Sequence, residues 1–327
     1  MTDYPQRRSS WKKQEIERKW HSIIGIFVTV VLVLAVINGV AKTFSLGKFF
    51  GKSSWDSRAA FGAVIATEPI SVFIFNSDKR EITLVKLNED LYMATGFGKI
   101  QFAKISEIVE ESDGETLAAV ASRITRSPLA NFVILRNRED ASRENLEKFF
   151  LSFASFATPL KIIAGMPTGV IGTNIARIDQ IRLWWQLKSL GVNNLKLVDA
   201  TTYSQEIVLA SSDKILGVDQ VSLQRMMSGY LENRNVLEEG LEIVVVNSSG
   251  QIAYAGLVAD FVTAIGGRVG AVESSEGQVE KSFIAVGRDS YTASYLAKIF
   301  KCDIKTLPSL GERDIKIVIG RDFEQIY

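Results

Sequence analysis

Nineteen consecutive residues, Ile23 to Ala41 (IIGIFVTVVLVLAVINGVA), carry no charge and only Thr29 and Asn38 as polar side chains. As a helix the run measures roughly 28 Å, close to the ~30 Å hydrocarbon core of a bilayer. It is longer than the apolar region of a cleavable signal peptide, and no small-residue cleavage site follows. The expectation is a signal anchor at 23–41. Before it stand Arg7, Arg8, Lys12, Lys13, Arg18 and Lys19 against Asp3, Glu15 and Glu17. Beyond it Lys42, Lys48, Lys52 and Arg58 face only Asp56. The comparison biases the N-terminus toward the cytoplasm, with the bulk of the chain outside the cytoplasmic membrane. Trp11, Trp20, Phe44, Phe49, Phe50 and Trp55 flank the span, where aromatic rings settle at headgroup level.

Composition then removes whole classes of chemistry. With 38 lysines and arginines against 37 acidic residues, the chain has no global field for nucleic acid. A single histidine, His21, and a single cysteine, Cys302, cannot build a histidine triad, a zinc site or an internal disulfide. Carboxylates, cations, hydroxyls and backbone amides remain.

The expected fold class is α/β: one N-terminal transmembrane helix, a central mixed α/β domain and a small C-terminal α/β sandwich of βαββαβ type. The divisions are a tail at 1–22, the anchor at 23–41, a Gly/Ser/Lys-rich linker at 42–58, a main domain at 59–240 and a C-terminal domain at 241–327. Ile70–Phe75 and Ile82–Leu87 are two strand-like runs separated by the polar cluster Asn76–Arg80, and this hairpin is expected to open the sheet. Helical spacing follows at Ile105–Val109 and Leu117–Ile124, then a strand at Asn131–Leu135 and a helix capped by Ser142. Lys161–Ala164 reads as a short strand before a structural glycine loop, Gly165–Asn174, which lacks the lysine and hydroxyl of a phosphate-binding loop. The helix from Ile175 to Leu190 carries Trp184 and Trp185, as core or as a wall of an apolar ligand groove. Strands follow at Leu195–Val198 and Ile207–Leu209, then a helix capped by Asp219. At Leu241 a strand-helix-strand pattern restarts and ends in Ile315–Ile319, which places a domain boundary at Glu238–Gly240.

The restarted segment, with its strand ending in Asn247, the helix exit Ile265-Gly266-Gly267 and the closing Val318-Ile319-Gly320-Arg321-Asp322-Phe323, resembles the C-terminal domain of LytR-CpsA-Psr cell-envelope proteins. Upstream, the hairpin SVFIFNSDKREITLVKL and Gly172-Thr173-Asn174-Ile175 resemble that family's main domain. The resemblance implies transfer of a polyprenyl-linked glycopolymer phosphate to the cell wall, with arginines on the pyrophosphate and acidic residues on a divalent metal. Here the motif is altered. Asn88-Glu89-Asp90 stands at the family's proline-arginine-aspartate step, Glu68-Pro69-Ile70 replaces its first acidic position, and Lys99-Ile100 keeps its lysine step. The run from Arg136 to Arg143 reads either as a remnant of the arginine segment or as a solvated loop.

The ligand-binding candidates are therefore Asp90, Lys99, Arg136, Arg138 and Arg143, with no catalytic or metal-ligating residue. The leading expectation is a non-catalytic envelope protein that binds a cell-wall glycopolymer, a polyprenyl-linked lipid or, through the C-terminal domain, a protein. The alternative is an active phosphotransferase, which alone would require magnesium. A purely structural assembly factor is the third class.

Overall fold

The computed structural model describes residue 51 and residues 53–325, apart from 96–100, 111–112, 137–140, 166–168, 210–211, 213 and 252. The apolar run 23–41 and its cationic flank lie outside the described residues. Among the described residues no helix is long and apolar enough to cross a membrane.

In chain order the first elements are β1 (Phe61–Ala66), β2 (Ser71–Asn76), β3 (Glu81–Lys86), β4 (Tyr92–Thr95), β5 (Gln101–Lys104), α1 (Ile105–Glu110), α2 (Gly114–Thr125) and β6 (Phe132–Leu135). There follow α3 (Arg143–Ala154), α4 (Thr158–Ile163), β7 (Val170–Thr173), α5 (Arg177–Leu187), β8 (Leu195–Asp199), β9 (Ser204–Val208), β10 (Lys214–Val218), α6 (Gln220–Leu231) and α7 (Arg234–Glu239). The chain ends with β11 (Glu242–Asn247), α8 (Ala253–Ala264), β12 (Arg268–Ser274), β13 (Phe283–Val286), α9 (Tyr291–Ile299), β14 (Asp303–Thr306) and β15 (Asp314–Ile319). The protein is thus a mixed α/β structure.

Six strands form the first sheet in the order β7-β6-β1-β2-β3-β8. Successive side chains of a strand point to opposite faces, and both faces here are apolar. Val64, Val72 and Val85 pack under Leu117, Ala121, Leu223 and Met227 of α2 and α6. Phe61, Phe75 and Leu84 pack under Leu146, Phe150, Leu183 and Leu187 of α3 and α5. Local signals start the helices where expected: Asp113 accepts from the Thr116 amide, Ser142 from that of Asn145, and Asp219 from that of Ser222.

Four expectations need correction. The hairpin does not open the sheet, because β1 precedes it and pairs antiparallel with β2. The expected strand Lys161–Ala164 is the end of α4, whose Pro159 sits in the first turn, where a missing N–H costs nothing. The glycine loop contains β7, an edge strand paired with β6. The linker does not run free to Arg58. Trp55 is 5% exposed and packs edge-on against Phe61 at 5.2 Å and Phe75 at 6.2 Å, with its Nε1 donating to the Ala59 carbonyl at 2.8 Å. That ring belongs to the core and not to a membrane interface.

The second sheet has the order β12-β11-β15-β13-β14. The sequence pattern missed β14, which pairs parallel with β13 and makes the sandwich five-stranded. Helices α8 and α9 cover one face, where Val245, Phe261, Leu296 and Ile317 meet. Gly266, at φ +86°, ends α8 as read from the sequence.

Polar contacts join the two cores. Asp260 of α8 receives Arg126 Nη1 at 3.2 Å and Gln224 Nε2 at 3.0 Å. The Tyr291 hydroxyl donates to Asp56 at 3.0 Å and accepts from Asn233 Nδ2 at 3.0 Å, while Glu239 accepts the Tyr291 and Thr292 amides at the start of α9. Burial works to raise the Glu239 carboxyl, but the Thr292 hydroxyl and these amides outweigh it and hold it below the usual glutamate range. At Asp56 burial is likewise outweighed, here by the Arg58 and Ala59 amides and the Tyr291 hydroxyl. A carboxyl depressed by folding contributes stability that is present above its unfolded value, about 4. That contribution is lost as pH falls through the lower folded value. The melting temperature should be level from pH 6 to about 5 and drop below about 4, and Glu239→Gln should shrink the drop in melts recorded between pH 3 and 6.

Candidate functional site

Strands β1, β3, β6 and β8 run parallel within the first sheet, so their C-terminal ends share one edge. Ligands of open α/β sheets collect at such edges. Glu68 follows β1, Asn88-Glu89-Asp90 follows β3, Arg136 follows β6 and Asp199 ends β8. Asp90 and Arg136, two of the expected site residues, therefore belong to the same edge. Arg143 opens α3 just after Ala141, whose amide donates to the Glu68 carbonyl at 2.9 Å. Lys99 and Arg138 lie outside the described residues.

The side chains at this edge have structural work. Glu89 Oε1 accepts the Ile70 amide at 2.8 Å and so fastens the turn that enters β2. Asp90 is exposed and pairs with Lys104 at 3.7 Å, a solvated contact of little energetic weight. Arg143 Nε is spent on Glu147 at 2.7 Å, one helical turn on. Arg136 is exposed, and its amide donates to the Gly169 carbonyl at 2.8 Å, which ties β6 to β7. The Thr201 amide, aided by the Lys86 charge, holds the Asp199 carboxyl below the usual aspartate range.

A divalent metal needs several oxygen ligands aimed at one point. Glu89 and Asp199 instead accept backbone amides, and Asp90 meets a lysine. Among the described residues no cluster of three or more histidine, cysteine, aspartate or glutamate side chains could hold a metal ion. The described carboxylates of this edge do not fit a magnesium site.

On the sheet face covered by α3, α4 and α5 lies a second feature, absent from the sequence-derived candidates. A cavity of about 90 Å³ is walled by Ala63 and Ile65 of β1, Phe150 and Phe153 of α3, Ile162 of α4 and Leu183 of α5, among other apolar side chains. Three of its polar side chains bond to backbone carbonyls. Gln180 Nε2 donates to the Ile175 carbonyl at 2.8 Å, the Thr173 hydroxyl to the Phe132 carbonyl at 2.6 Å, and the Thr158 hydroxyl to the Ser152 carbonyl at 3.2 Å. A cavity lined this way makes little demand for water and favours an apolar guest. The sequence signals were the phenylalanine-rich α3 and the small Ala63 amid large strand residues, but neither reveals a void without the helix positions.

Of the tryptophan pair, Trp184 fits the core reading and Trp185 fits neither reading given it. Trp184 is buried, with its Nε1 donating to the Ser155 carbonyl at 2.8 Å, whereas Trp185 is exposed and stacked under the Lys188 ammonium. Neither ring lines the cavity. Asp179, on the same helix, is fully buried. It accepts the Ser53 hydroxyl at 2.6 Å and the Ser54 amide at 2.9 Å, and it meets Arg182 at 3.4 Å. The first described residues of the chain are thus fastened to α5.

No family model matches the chain, and no curated protein matches it. Solved structures give partial likenesses. TagU of B. subtilis superposes with a TM-score of 0.38 at 12% identity, over 54% of this chain and 98% of that one. TagV of B. subtilis gives 0.37 at 10% identity, over 51% and 94%. Protein gbs0355 of Streptococcus agalactiae gives 0.40 at 10% identity, over 54% and 89%. Superpositions of this quality do not establish a common fold.

Proposed function

We propose that the chain is a membrane-anchored, extracytoplasmic cell-envelope protein of LytR-CpsA-Psr type that binds the apolar chain of a polyprenyl-linked glycopolymer precursor and does not transfer it. The observation that carries this reading is the apolar cavity between the first sheet and α3–α5. At about 90 Å³ it is smaller than the roughly 150 Å³ void that takes benzene, so it suits a short branched segment of a lipid and not an entire one. Location outside the cytoplasm rests on the uncharged run 23–41 and its cationic flank. A phosphotransferase is the second reading, and the position of Asp90, Arg136 and Asp199 along one sheet edge is what favours it.

Mass spectrometry of lipids retained by the full-length protein in mild detergent tests the proposal. A polyisoprenoid should co-purify. Ala63→Leu, which adds three carbons inside the cavity, should weaken binding of a polyprenyl phosphate at least tenfold while costing about 1–3 kcal/mol of stability. Equal binding by this variant would place the ligand elsewhere, and retention of glycan without lipid would favour a cell-wall polymer as the ligand.

A further inference from the structure

The helices that wall the cavity turn apolar side chains outward as well as inward. In α4 Ile162 faces the cavity while Leu160 is 72% exposed, as is a smaller part of Ile163. Leu151 of α3 and Trp185 of α5 are also exposed, and Phe156, between α3 and α4, is 87% exposed. These positions lie on elements that pack together, since α4 packs on both α3 and α5 and Trp184 of α5 bonds the Ser155 carbonyl next to Phe156. Apart from Thr158 and Lys161, α4 is apolar on its outer as well as its inner side, and exposed apolar surface of that kind suits contact with another apolar phase.

Glu144 and Glu147 of α3 are paired with Lys148 and Arg143, each at 2.7 Å, and beyond them the exposed charge of this flank is cationic. Between Glu147 and Asp179 the chain contains Lys148, Lys161 and Arg177 and no carboxylate, and Asp179 is itself fully buried. Lys188 lies 3.3 Å above the centre of the Trp185 ring. Exposed aliphatics with tryptophan and lysine at the margin are the composition of interfacial surfaces that meet anionic lipid. The attachment point agrees. Ser53 is bonded to Asp179 and Arg182 of α5, and only residues 42–52 separate it from the apolar run. Eleven residues reach at most about 40 Å, so a bilayer crossed by residues 23–41 stays within reach of α5.

We propose that the α3–α4–α5 flank seats in the interfacial layer of an anionic lipid bilayer. This rests on the anchor reading above, and its test separates the two. Full-length protein carrying Cys302→Ser is reconstituted in vesicles of phosphatidylcholine and phosphatidylglycerol at 3:1. Single nitroxide labels are placed through Phe156→Cys, Leu160→Cys, Leu32→Cys and, on exposed β12, Val272→Cys. Labels at 156 and 160 should be relaxed by oxygen and shielded from a water-soluble nickel chelate, as at 32, with the opposite at 272. Lys161→Glu should move the 156 label toward water. Aqueous labels at 156 and 160 overturn the proposal, and spin-spin broadening at 156 would assign the flank to a second copy instead. The label at 32 decides the anchor separately: lipid contact there with aqueous 156 and 160 sinks the flank alone, whereas an aqueous 32 sinks the anchor.

Discussion

Asp179→Ala should lower the melting temperature by about 6–12 °C, corresponding to a loss of about 3 kcal/mol. The carboxylate is fully buried on α5 and gathers the Ser53 hydroxyl, the Ser54 and Trp55 amides and the Arg182 guanidinium. Removing it strands those donors, and a buried hydrogen bond to a charged group contributes about 1.5–3 kcal/mol. Arg182 is part-exposed and regains water, which keeps the loss below the 3–5 kcal/mol typical of a wholly buried broken pair. The effect should be local as well as global. Ser53–Trp55 would lose its hold on α5, and Trp55 its place against Phe61 and Phe75. Hydrogen exchange should show the amides of Ser54 and Trp55 deprotected in the variant under conditions where the centre of β2 still exchanges slowly. Wild-type protection at those two amides would mean that the core holds the segment without the aspartate.

That anchoring point shows where sequence reading succeeds and where it stops. The helices capped by Ser142 and Asp219 were legible because a cap acts over three residues, the helix after Asp113 because its apolar residues recur at helical spacing, and the β2–β3 hairpin because two apolar runs around a polar turn are equally local. Thr158–Ile163 was misread for a related reason: TPLKII is short and apolar, and length and flanks must then decide between strand and helix. Pro159 was the available signal, since a proline suits a first helical turn. Trp55 was misassigned because an indole near an apolar run has two good environments, and the choice depends on Phe61, Phe75 and the Ala59 carbonyl, which only folding brings to it. The cavity is less legible still. It is a shortfall of volume among residues from β1, α3, α4 and α5, and no residue type encodes a shortfall. At the sheet edge the family resemblance set Glu89 where a cation was expected. It gave no hint that this carboxylate fastens the turn into β2.

The largest expected effect concerns turnover. Given magnesium and a polyprenyl-pyrophosphate glycan, the protein should release no polyprenyl phosphate above background. A phosphate oxygen about 4 Å from a carboxylate is repelled by roughly 4 kcal/mol at an effective dielectric of 20, and an arginine there would attract it by a similar amount. The difference of about 8 kcal/mol corresponds to between five and six decades in rate, an upper bound that solvent screening reduces. Glu89 does not readily swing aside, because the Ile70 amide holds its Oε1 at 2.8 Å. The same bond makes rescue by Glu89→Arg unproductive. It would supply the cation but remove the acceptor that fastens the turn, and the neighbouring carboxylates would still meet Lys104 and the Thr201 amide instead of a metal. Glu89→Gln serves as the control for folding, since its carbonyl can still accept the Ile70 amide while the charge is gone. It should melt close to the wild type and remain inactive. Release that depends on magnesium in the unmodified protein, abolished by Arg136→Ala or Arg138→Ala, would instead establish the phosphotransferase and show that displaced arginines had taken over the phosphate.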